Sequence, residues 1–145
     1  MFINAINWKI MKMVKRYAGI LMMLTLLVGF TSCEDDEDLE EQMFGRIWAG
    51  DVGMSAANGR YIYSEFTFDP DGFGEEYQYY RNGEPYDHFR FQWYWEDRYS
   101  NNLVLDYGRN GISYMDDVNI RRGLMTGIFY LTEDSKGFPF TLEMQ

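Results

Sequence analysis

The sequence predicts an all-β domain, built as an antiparallel up-and-down meander of about eight strands. From residue 45 onward, apolar and polar side chains alternate with a period of two, which places one face of each segment on a core and the other toward water. Turn-forming pairs such as Asn58-Gly59 and Asn82-Gly83 separate these segments at short spacing. A meander of about eight strands closes most naturally into a barrel. A two-sheet β-sandwich is the alternative that strand counting leaves open.

The alternation is clearest in the fourth predicted strand. There Phe89, Phe91 and Trp93 are separated by the polar residues Arg90 and Gln92. Aromatic residues of this kind are favourable in strands. The strands are predicted at residues 45–54, 60–68, 73–80, 87–96, 103–108, 112–120, 124–132 and 138–144.

Residues 1–32 have the layout of a secretory signal peptide. Basic residues and no acids precede a 13-residue apolar run at 18–30, and Met1, Met11 and Met13 are all possible starts. A membrane-spanning helix needs about 20 apolar residues, so a transmembrane anchor is the weaker alternative. The basic residues are Lys9, Lys12, Lys15 and Arg16.

Cys33 is the only cysteine and follows Phe30-Thr-Ser32 at the end of the apolar run. A cysteine after small residues in this position resembles the lipobox of bacterial lipoproteins, although Phe30 stands where Leu is more usual. The resemblance implies that Cys33 is lipidated and becomes the first residue of the mature chain. A single cysteine also excludes an intramolecular disulfide and a zinc site built on several thiolates.

Seven of the eight residues from 34 to 41 are acidic. Such a block of like charges predicts a solvated, self-repelling tether. It resembles the acidic export signal that follows the lipidated cysteine in surface-exposed lipoproteins of the Bacteroidota, and a plain spacer is the alternative. The predicted organisation is therefore a signal peptide at 1–32, the lipidated cysteine and tether at 33–44, and a barrel domain at 45–145.

The net charge of the full chain is -10. Of the 13 basic residues, four precede Cys33, so cleavage there leaves 9 basic and 23 acidic residues. Seven of the acids belong to the tether, which leaves the domain at about -7, an ordinary surface charge for solubility. Binding to nucleic acid is not expected, because it needs basic surface to neutralise phosphates.

Four short segments of the domain carry a family resemblance. They are Gly45-Arg-Ile-Trp48-Ala-Gly50, Phe66-Thr-Phe68-Asp-Pro-Asp-Gly72-Phe-Gly74, Phe91-Gln-Trp93 and Leu103-Val-Leu105-Asp-Tyr107. Their order resembles the small lipocalin-like lipoproteins common in the Bacteroidota. The resemblance implies a barrel that can enclose a pocket, with Trp48 of the Gly-x-x-Trp motif closing one end. It implies no specific activity.

Aromatic side chains of one parity are assigned to the barrel interior, where they would suit a flat apolar ligand or a sugar ring. Filling of the core by the same rings is the alternative. The candidate ligand-binding residues are Trp48, Tyr77, Tyr79, Phe89, Phe91, Trp93 and Trp95.

Tyrosines of the opposite parity are assigned to the outer surface. Tyr61, Tyr63, Tyr80 and Tyr94 would form a contact patch for a protein or a glycan. Ordinary cross-strand pairing of tyrosines is the alternative.

Catalytic chemistry has little support in the sequence. His88 is the only histidine, and no Gly-x-Ser-x-Gly nucleophile elbow is present. The glycines occupy hairpin turns, whereas a phosphate-binding loop stands between a strand and a helix. We therefore predict a protein that is not an enzyme, with no catalytic residue, metal or cofactor, and with His88 on the surface of a strand.

The carboxylates also have simple interpretations. Asp69-Pro-Asp-Gly72 lacks the further oxygen ligands of a calcium loop, so it predicts a β-turn. Glu75-Glu76 and Asp116-Asp117 are adjacent in strands and point to opposite faces, so neither pair forms an acid and base dyad.

These observations predict a non-enzymatic binding protein, lipid-anchored in the outer membrane and exposed at the cell surface. Its barrel would hold a small apolar ligand, or contact a glycan or a surface protein. The alternative is a structural or inhibitory surface module with a solid core. A cavity of several hundred cubic ångströms would favour the first hypothesis. The ligand, the membrane leaflet and the oligomeric state stay open.

Overall fold

A computed structural model describes residues 38–145 as one short helix followed by eight strands. The predicted signal peptide 1–32, the lipidated Cys33 and the acids at 34–37 lie outside the described residues. A single turn of 3-10 helix, Gly108–Asn110, separates the fifth and sixth strands. Within residues 38–145, no helix has the length and apolar character to cross a membrane. The elements are α1 (Leu39–Met43), β1 (Ile47–Gly50), β2 (Ile62–Phe68), β3 (Phe73–Tyr80), β4 (Pro85–Trp95), β5 (Leu103–Asp106), β6 (Ile112–Arg121), β7 (Leu124–Tyr130) and β8 (Phe138–Met144).

The strands close into a barrel. Each strand pairs antiparallel with the next one along the chain, and β8 pairs with β1. The closing ladder joins Trp48 to Met144 and Ala49 to Glu143. The predicted eight-stranded meander barrel is confirmed, and the β-sandwich alternative is excluded.

The hairpin between β2 and β3 sets the register of the first strands. The Gly72 amide donates to the Asp69 carbonyl at 3.2 Å, and Gly72 has φ 84°, a value that glycine adopts without strain. This geometry confirms the predicted β-turn. It places Phe68 opposite Gly74 and Phe66 opposite Glu76.

The up-and-down order gives the barrel two distinct ends. The odd-numbered strands begin, and the even-numbered strands finish, at the end where α1 precedes β1. We call this the helix end. The opposite end, where the pocket described below opens, is called the cavity end.

The helix end is filled with side chains. Trp48 is fully buried, and its indole nitrogen donates to the Met43 carbonyl at 3.1 Å. The ring centroid of Trp93 lies 6.2 Å from that of Phe68 and 5.8 Å from that of Phe44. Trp93 and Phe68 pack edge to face, an arrangement that stabilises the core beyond the area it buries.

The acidic segment contributes to this packing. Residues 39–43 form α1, with Met43 fully buried, and the Trp95 indole nitrogen donates to Glu40 Oε1 at 2.6 Å. Gly45 then adopts φ 65°, which lets the chain leave the helix and enter β1. The prediction of a solvated tether is therefore wrong for Leu39–Met43, because Leu39 and Met43 are four residues apart and share one apolar helix face.

A bulge interrupts β6. The register against β7 shifts between Asp116 and Asn119, and Asp117 has φ 54°. The extra residue keeps Val118 fully buried, while Asp117 is exposed. The expectation that Asp116 and Asp117 point to opposite faces is wrong for this reason, since neither carboxylate enters the core.

Candidate ligand-binding site

The cavity end contains a pocket of about 430 Å³. Its apolar lining comes mainly from strand positions near this end of the barrel. Its polar lining includes Glu76, Gln78, Tyr107 and Ser113, with Asp87 and Lys136 at exposed positions. The apolar lining includes Val52, Ile62, Phe89, Phe129, Leu131 and Phe138.

Glu76 is the ionisable side chain most deeply placed in the lining. In β3 the buried residues are Gly74, Glu76 and Gln78, whereas Tyr77 is exposed. Glu76 is only 2% exposed, although it lies in a strand with water on its other face. The β2–β3 register produces this placement, because the interior residues Phe66 and Phe68 stand opposite Glu76 and Gly74.

Three donors hold the Glu76 carboxylate. Ser64 Oγ donates to Oε1 at 2.7 Å, and Gln78 Nε2 donates to the same oxygen at 2.8 Å. The Tyr107 hydroxyl donates to Oε2 at 2.6 Å. Donors with these lengths fix the orientation of a carboxylate and offset part of its cost of burial.

No cation pairs with Glu76 among residues 38–145. The ion pairs of this part of the chain instead involve Glu84, which is exposed, and Glu75, which is half-buried on the other face of β3. Lys136 lines the cavity, but it is exposed and makes no ion pair with a described residue. The carboxylate is therefore held by neutral donors alone.

Tyr107 links this carboxylate to the aromatic core. Its ring lies 5.3 Å from Phe91 and 6.0 Å from Phe89, measured between centroids. Burial, followed by the neighbouring Glu76 charge and the hydrogen bond to it, raises the pKa of the Tyr107 phenol well above its usual value. Tyr107 therefore stays protonated at neutral pH and acts as a hydrogen-bond donor.

The structure brings one of the seven predicted ligand-binding residues to the cavity, which is Phe89. Phe91 and Trp93 are buried in the core, and Trp48 and Trp95 lie at the helix end. For these four residues the geometry is that of core filling.

Tyr77 and Tyr79 do not enter the barrel, so their assignment to the interior is wrong. Tyr77 stands opposite His88 on the outer face, with the two rings stacked at 4.1 Å, and Tyr79 stands opposite Tyr63. Both parities of β3 carry polar or aromatic residues, so the alternation does not say which face is internal. The buried face is the one that carries Gly74, Glu76 and Gln78.

The polar residues of the cavity were missed by the sequence analysis. A usable signal exists, because the tight turn at Asp69-Pro-Asp-Gly72 fixes the β2–β3 pairing. Once Phe66 and Phe68 are assigned to the core, that pairing directs Glu76 inward and places Ser64 opposite Gln78.

The four predicted surface tyrosines do not form one patch. Tyr61 and Tyr63 are exposed next to the part of β3 that pairs with His88 of β4. Tyr94 lies six residues further along β4 than His88, and this spacing corresponds to about 20 Å in a strand. On the outer face, Tyr94 instead begins a row of cross-strand neighbours that continues on β5, β6 and β7 with Val104, Tyr114 and Tyr130.

Tyr80 was assigned to the outer surface, and this assignment is wrong. It stands opposite the buried Ile62 and is half-buried. The Arg60 guanidinium lies 3.8 Å from its ring centroid, and the Tyr86 ring is 5.1 Å away. A cation over a tyrosine face is attracted by the ring quadrupole.

His88 is exposed on β4, as predicted, with Nε2 3.7 Å from Glu75 Oε1. Arg90 Nε donates to the same carboxylate oxygen at 3.0 Å. This cluster is separated from the cavity by the thickness of the sheet, because Glu75 and Glu76 point to opposite faces.

A second, shallower pocket of about 170 Å³ is lined by Tyr114, Tyr130 and three acids. Burial, followed by the charges of Glu96 and Asp117, raises the pKa of Asp116. Across residues 38–145, no group of three or more His, Cys, Asp or Glu side chains is arranged to hold a metal ion. The acids are Glu96, Asp116 and Glu133.

Comparisons with protein-family models, with curated proteins and with solved structures find no match for this chain. The function proposed below therefore rests on the residues of the chain and on their geometry.

Proposed function

We propose that this protein is a non-enzymatic binding protein of the cell envelope that holds a small ligand in its barrel. One observation carries the proposal, namely the cavity of about 430 Å³ at the cavity end. That volume falls within the range of small-molecule sites, which are mostly apolar with a few fixed polar groups. Ser64, Gln78 and Tyr107 orient one such group here, the Glu76 carboxylate.

The sequence supports membrane attachment of this binding domain. Cys33 follows a predicted signal peptide, residues 1–32, that resembles those of bacterial lipoproteins, and acids follow Cys33 as in surface lipoproteins of the Bacteroidota. In the described domain, the chain enters at the helix end through α1. The cavity mouth lies at the opposite end of the barrel from α1.

The second candidate function is a surface interaction module that uses the outer face. The row of Tyr94, Tyr114 and Tyr130 favours it, because tyrosines are common in protein and glycan contacts. The cavity favours the first candidate, since a module of this second kind needs only a solid core.

Isothermal titration calorimetry on matched variants tests the binding function. The titrants are 4-phenylbutanol, palmitate and a chitin disaccharide. Ser113 lines the cavity, whereas the adjacent Ile112 is exposed on the outer face. We expect Ser113→Phe to abolish binding of any titrant that binds the parent chain, and Ile112→Phe to leave it unchanged. Equal binding by both variants would place the ligand outside the cavity.

Intact mass spectrometry of membrane-extracted protein tests the anchor. The expected species begins at Cys33 and carries a diacylglycerol-sized addition, which the Cys33→Ala variant lacks. An unmodified chain with its first 32 residues still present would remove the lipoprotein part of the proposal.

A further inference from the structure

We propose that the cavity takes a ligand with a protonated amine on a compact apolar body, with the nitrogen bound to Glu76. This inference rests on the proposed function, because it names the ligand class of the same cavity. Three features of the lining carry it: an acceptor position left over on the carboxylate, the balance of charge, and the apolar wall.

The first feature is the acceptor count of Glu76. A carboxylate offers about four acceptor positions on its two oxygens. Among residues 38–145, Oε1 accepts from Ser64 and Gln78, and Oε2 accepts from Tyr107 only. One position on Oε2 is therefore left for a donor, and Glu76 belongs to the cavity lining.

The second feature is the charge of the lining. Glu76 and Asp87 supply two carboxylates, whereas Lys136 supplies the only ammonium among the described lining residues. Glu76 is 2% exposed, and its three bound donors are all neutral groups. A buried charge without a counter-charge is costly, so a cationic ligand gains most by binding beside it.

The third feature is the wall that surrounds the carboxylate. Ile62, Phe89 and Phe129 line the same cavity and contribute apolar surface. A body of aromatic or aliphatic carbon would bury against them, while its amine reaches Glu76. Burial of apolar area supplies affinity, and the charge-assisted hydrogen bond supplies selectivity.

The same lining disfavours fatty acids. A fatty carboxylate could pair with Lys136 at its exposed position, but its tail would then lie against the buried Glu76 carboxylate. Inverting the ligand would place two carboxylates together. Either orientation costs free energy through desolvation or like-charge repulsion.

A matched ligand series tests the inference on the full chain, held in lipid nanodiscs with empty nanodiscs as the blank. The probes are 4-phenylbutylamine, 4-phenylbutanol and 4-phenylbutanoate, which share one body and differ in the terminal group. We expect the amine to bind about tenfold or more tightly than the alcohol, the ratio that one hydrogen bond to a charged group supports. The acid should bind more weakly than the alcohol.

The chain contains its own matched control. Glu76→Gln and the adjacent Glu75→Gln remove the same charge from opposite faces of β3. We expect Glu76→Gln to bring the amine and the alcohol to similar affinity, and Glu75→Gln to preserve the amine preference. In the Glu76→Gln variant the new amide carbonyl can still accept from Ser64 and Gln78, and circular dichroism checks that the variant folds.

The outcomes separate the two proposals. Alcohol binding that equals or exceeds amine binding in the parent chain overturns the amine inference and leaves the binding function standing. No binding by any of the three probes to the folded parent chain counts against both. An amine preference that survives in Glu76→Gln also overturns the inference, and the parent-chain series decides the matter if that variant fails to fold.

Discussion

The two ends of this barrel are built from the same strands, yet one is solid and the other is hollow. Along β2 the interior positions run from Phe68 and Phe66 near the helix end to Ser64 and Ile62 near the cavity end. The period of two is the same throughout. The size and polarity of the inward residues therefore decide where the barrel encloses space.

The polar network of the cavity end has no counterpart in the packed core of the helix end. At the helix end, indole nitrogens of Trp48 and Trp95 reach acceptors supplied by α1. At the cavity end, Glu76 is held by hydroxyl and amide donors from β2, β3 and the residue after β5. A buried polar network fixes side-chain geometry without filling volume, which suits a binding site.

The largest expected effect is the difference in stability lost when one phenylalanine is removed from each end of the barrel. Phe68→Ala should cost about 3–5 kcal/mol in the free energy of unfolding, because Phe68 is fully buried among aromatic rings. Phe89→Ala should cost about 1–2 kcal/mol, because this half-buried ring lines the cavity and has fewer neighbours to lose. Urea unfolding measures both, and equal losses would mean that the cavity end is packed as tightly as the helix end.

Tyr107→Phe sharpens the comparison through pH. At pH 8 it should lower the free energy of unfolding by about 1–3 kcal/mol, because the buried Glu76 loses a donor. The raised pKa of Tyr107 means that the folded protein holds the phenol proton more tightly than the unfolded chain. This contribution is complete below the ordinary tyrosine pKa of 10.0 and is lost as pH rises through the folded-state pKa.

Urea unfolding of both proteins between pH 8 and pH 11 checks that sign. The stability difference between the parent chain and Tyr107→Phe should shrink above about pH 10. If the stability difference between the two proteins stayed constant with pH, the hydrogen bond from Tyr107 to Glu76 would not hold the phenol proton in the folded state.

Glu40→Ala tests whether the acidic segment supports the helix end. Glu40 accepts from the Trp95 indole at 2.6 Å, and its half-buried position limits the expected loss to about 1 kcal/mol. Glu41→Ala is the matched control, because Glu41 is exposed on the same helix. Equal stability of the two variants in urea unfolding would mean that residues 39–43 behave as a solvated tether and do not support the helix end.

Asp116→Asn gives the smallest expected effect and lies on the outer face. Because the pKa of Asp116 is raised in the folded state, the folded protein is more stable when Asp116 is protonated. This contribution to the free energy of unfolding is lost as pH rises through the folded-state pKa. The variant should therefore gain a few tenths of a kcal/mol at pH 7, since solvent reaches this half-buried group and screens its charge. At pH 3 the gain should disappear, and thermal unfolding at both pH values measures it.

The fold could be predicted from the sequence because its two determinants are local. The alternation over residues 89–95 and the turn at Asp69-Pro-Asp-Gly72 can each be read from residues that are close together in the sequence. A meander joins consecutive strands by short turns, so these local signals are enough to predict it. The prediction for segment 39–43 was wrong because the acids dominate its composition. Its apolar residues, Leu39 and Met43, stabilise a helix only when they pack against the end of the folded barrel.

The cavity could not be predicted in the same way. Glu76 and Tyr77 are neighbours in β3, and local chemistry favours burial of the aromatic ring over the carboxylate. The pairing with β2 reverses that preference, because Phe66 opposite Glu76 already commits this face to the interior. Whether the interior is filled depends on residues from strands that are far from β3 in the chain, such as Ser113 of β6 and Phe129 of β7, which reach the cavity side of β3 only in the closed barrel.

A crystal structure of the chain with 4-phenylbutylamine tests the central claim most directly. We expect the ligand in the cavity, its nitrogen about 2.7–3.2 Å from Glu76 Oε2 and its ring against Phe89 and Phe129, with the helix end unchanged. A cavity closed by its own side chains, or an amine bound only on the outer tyrosines, would contradict the claim.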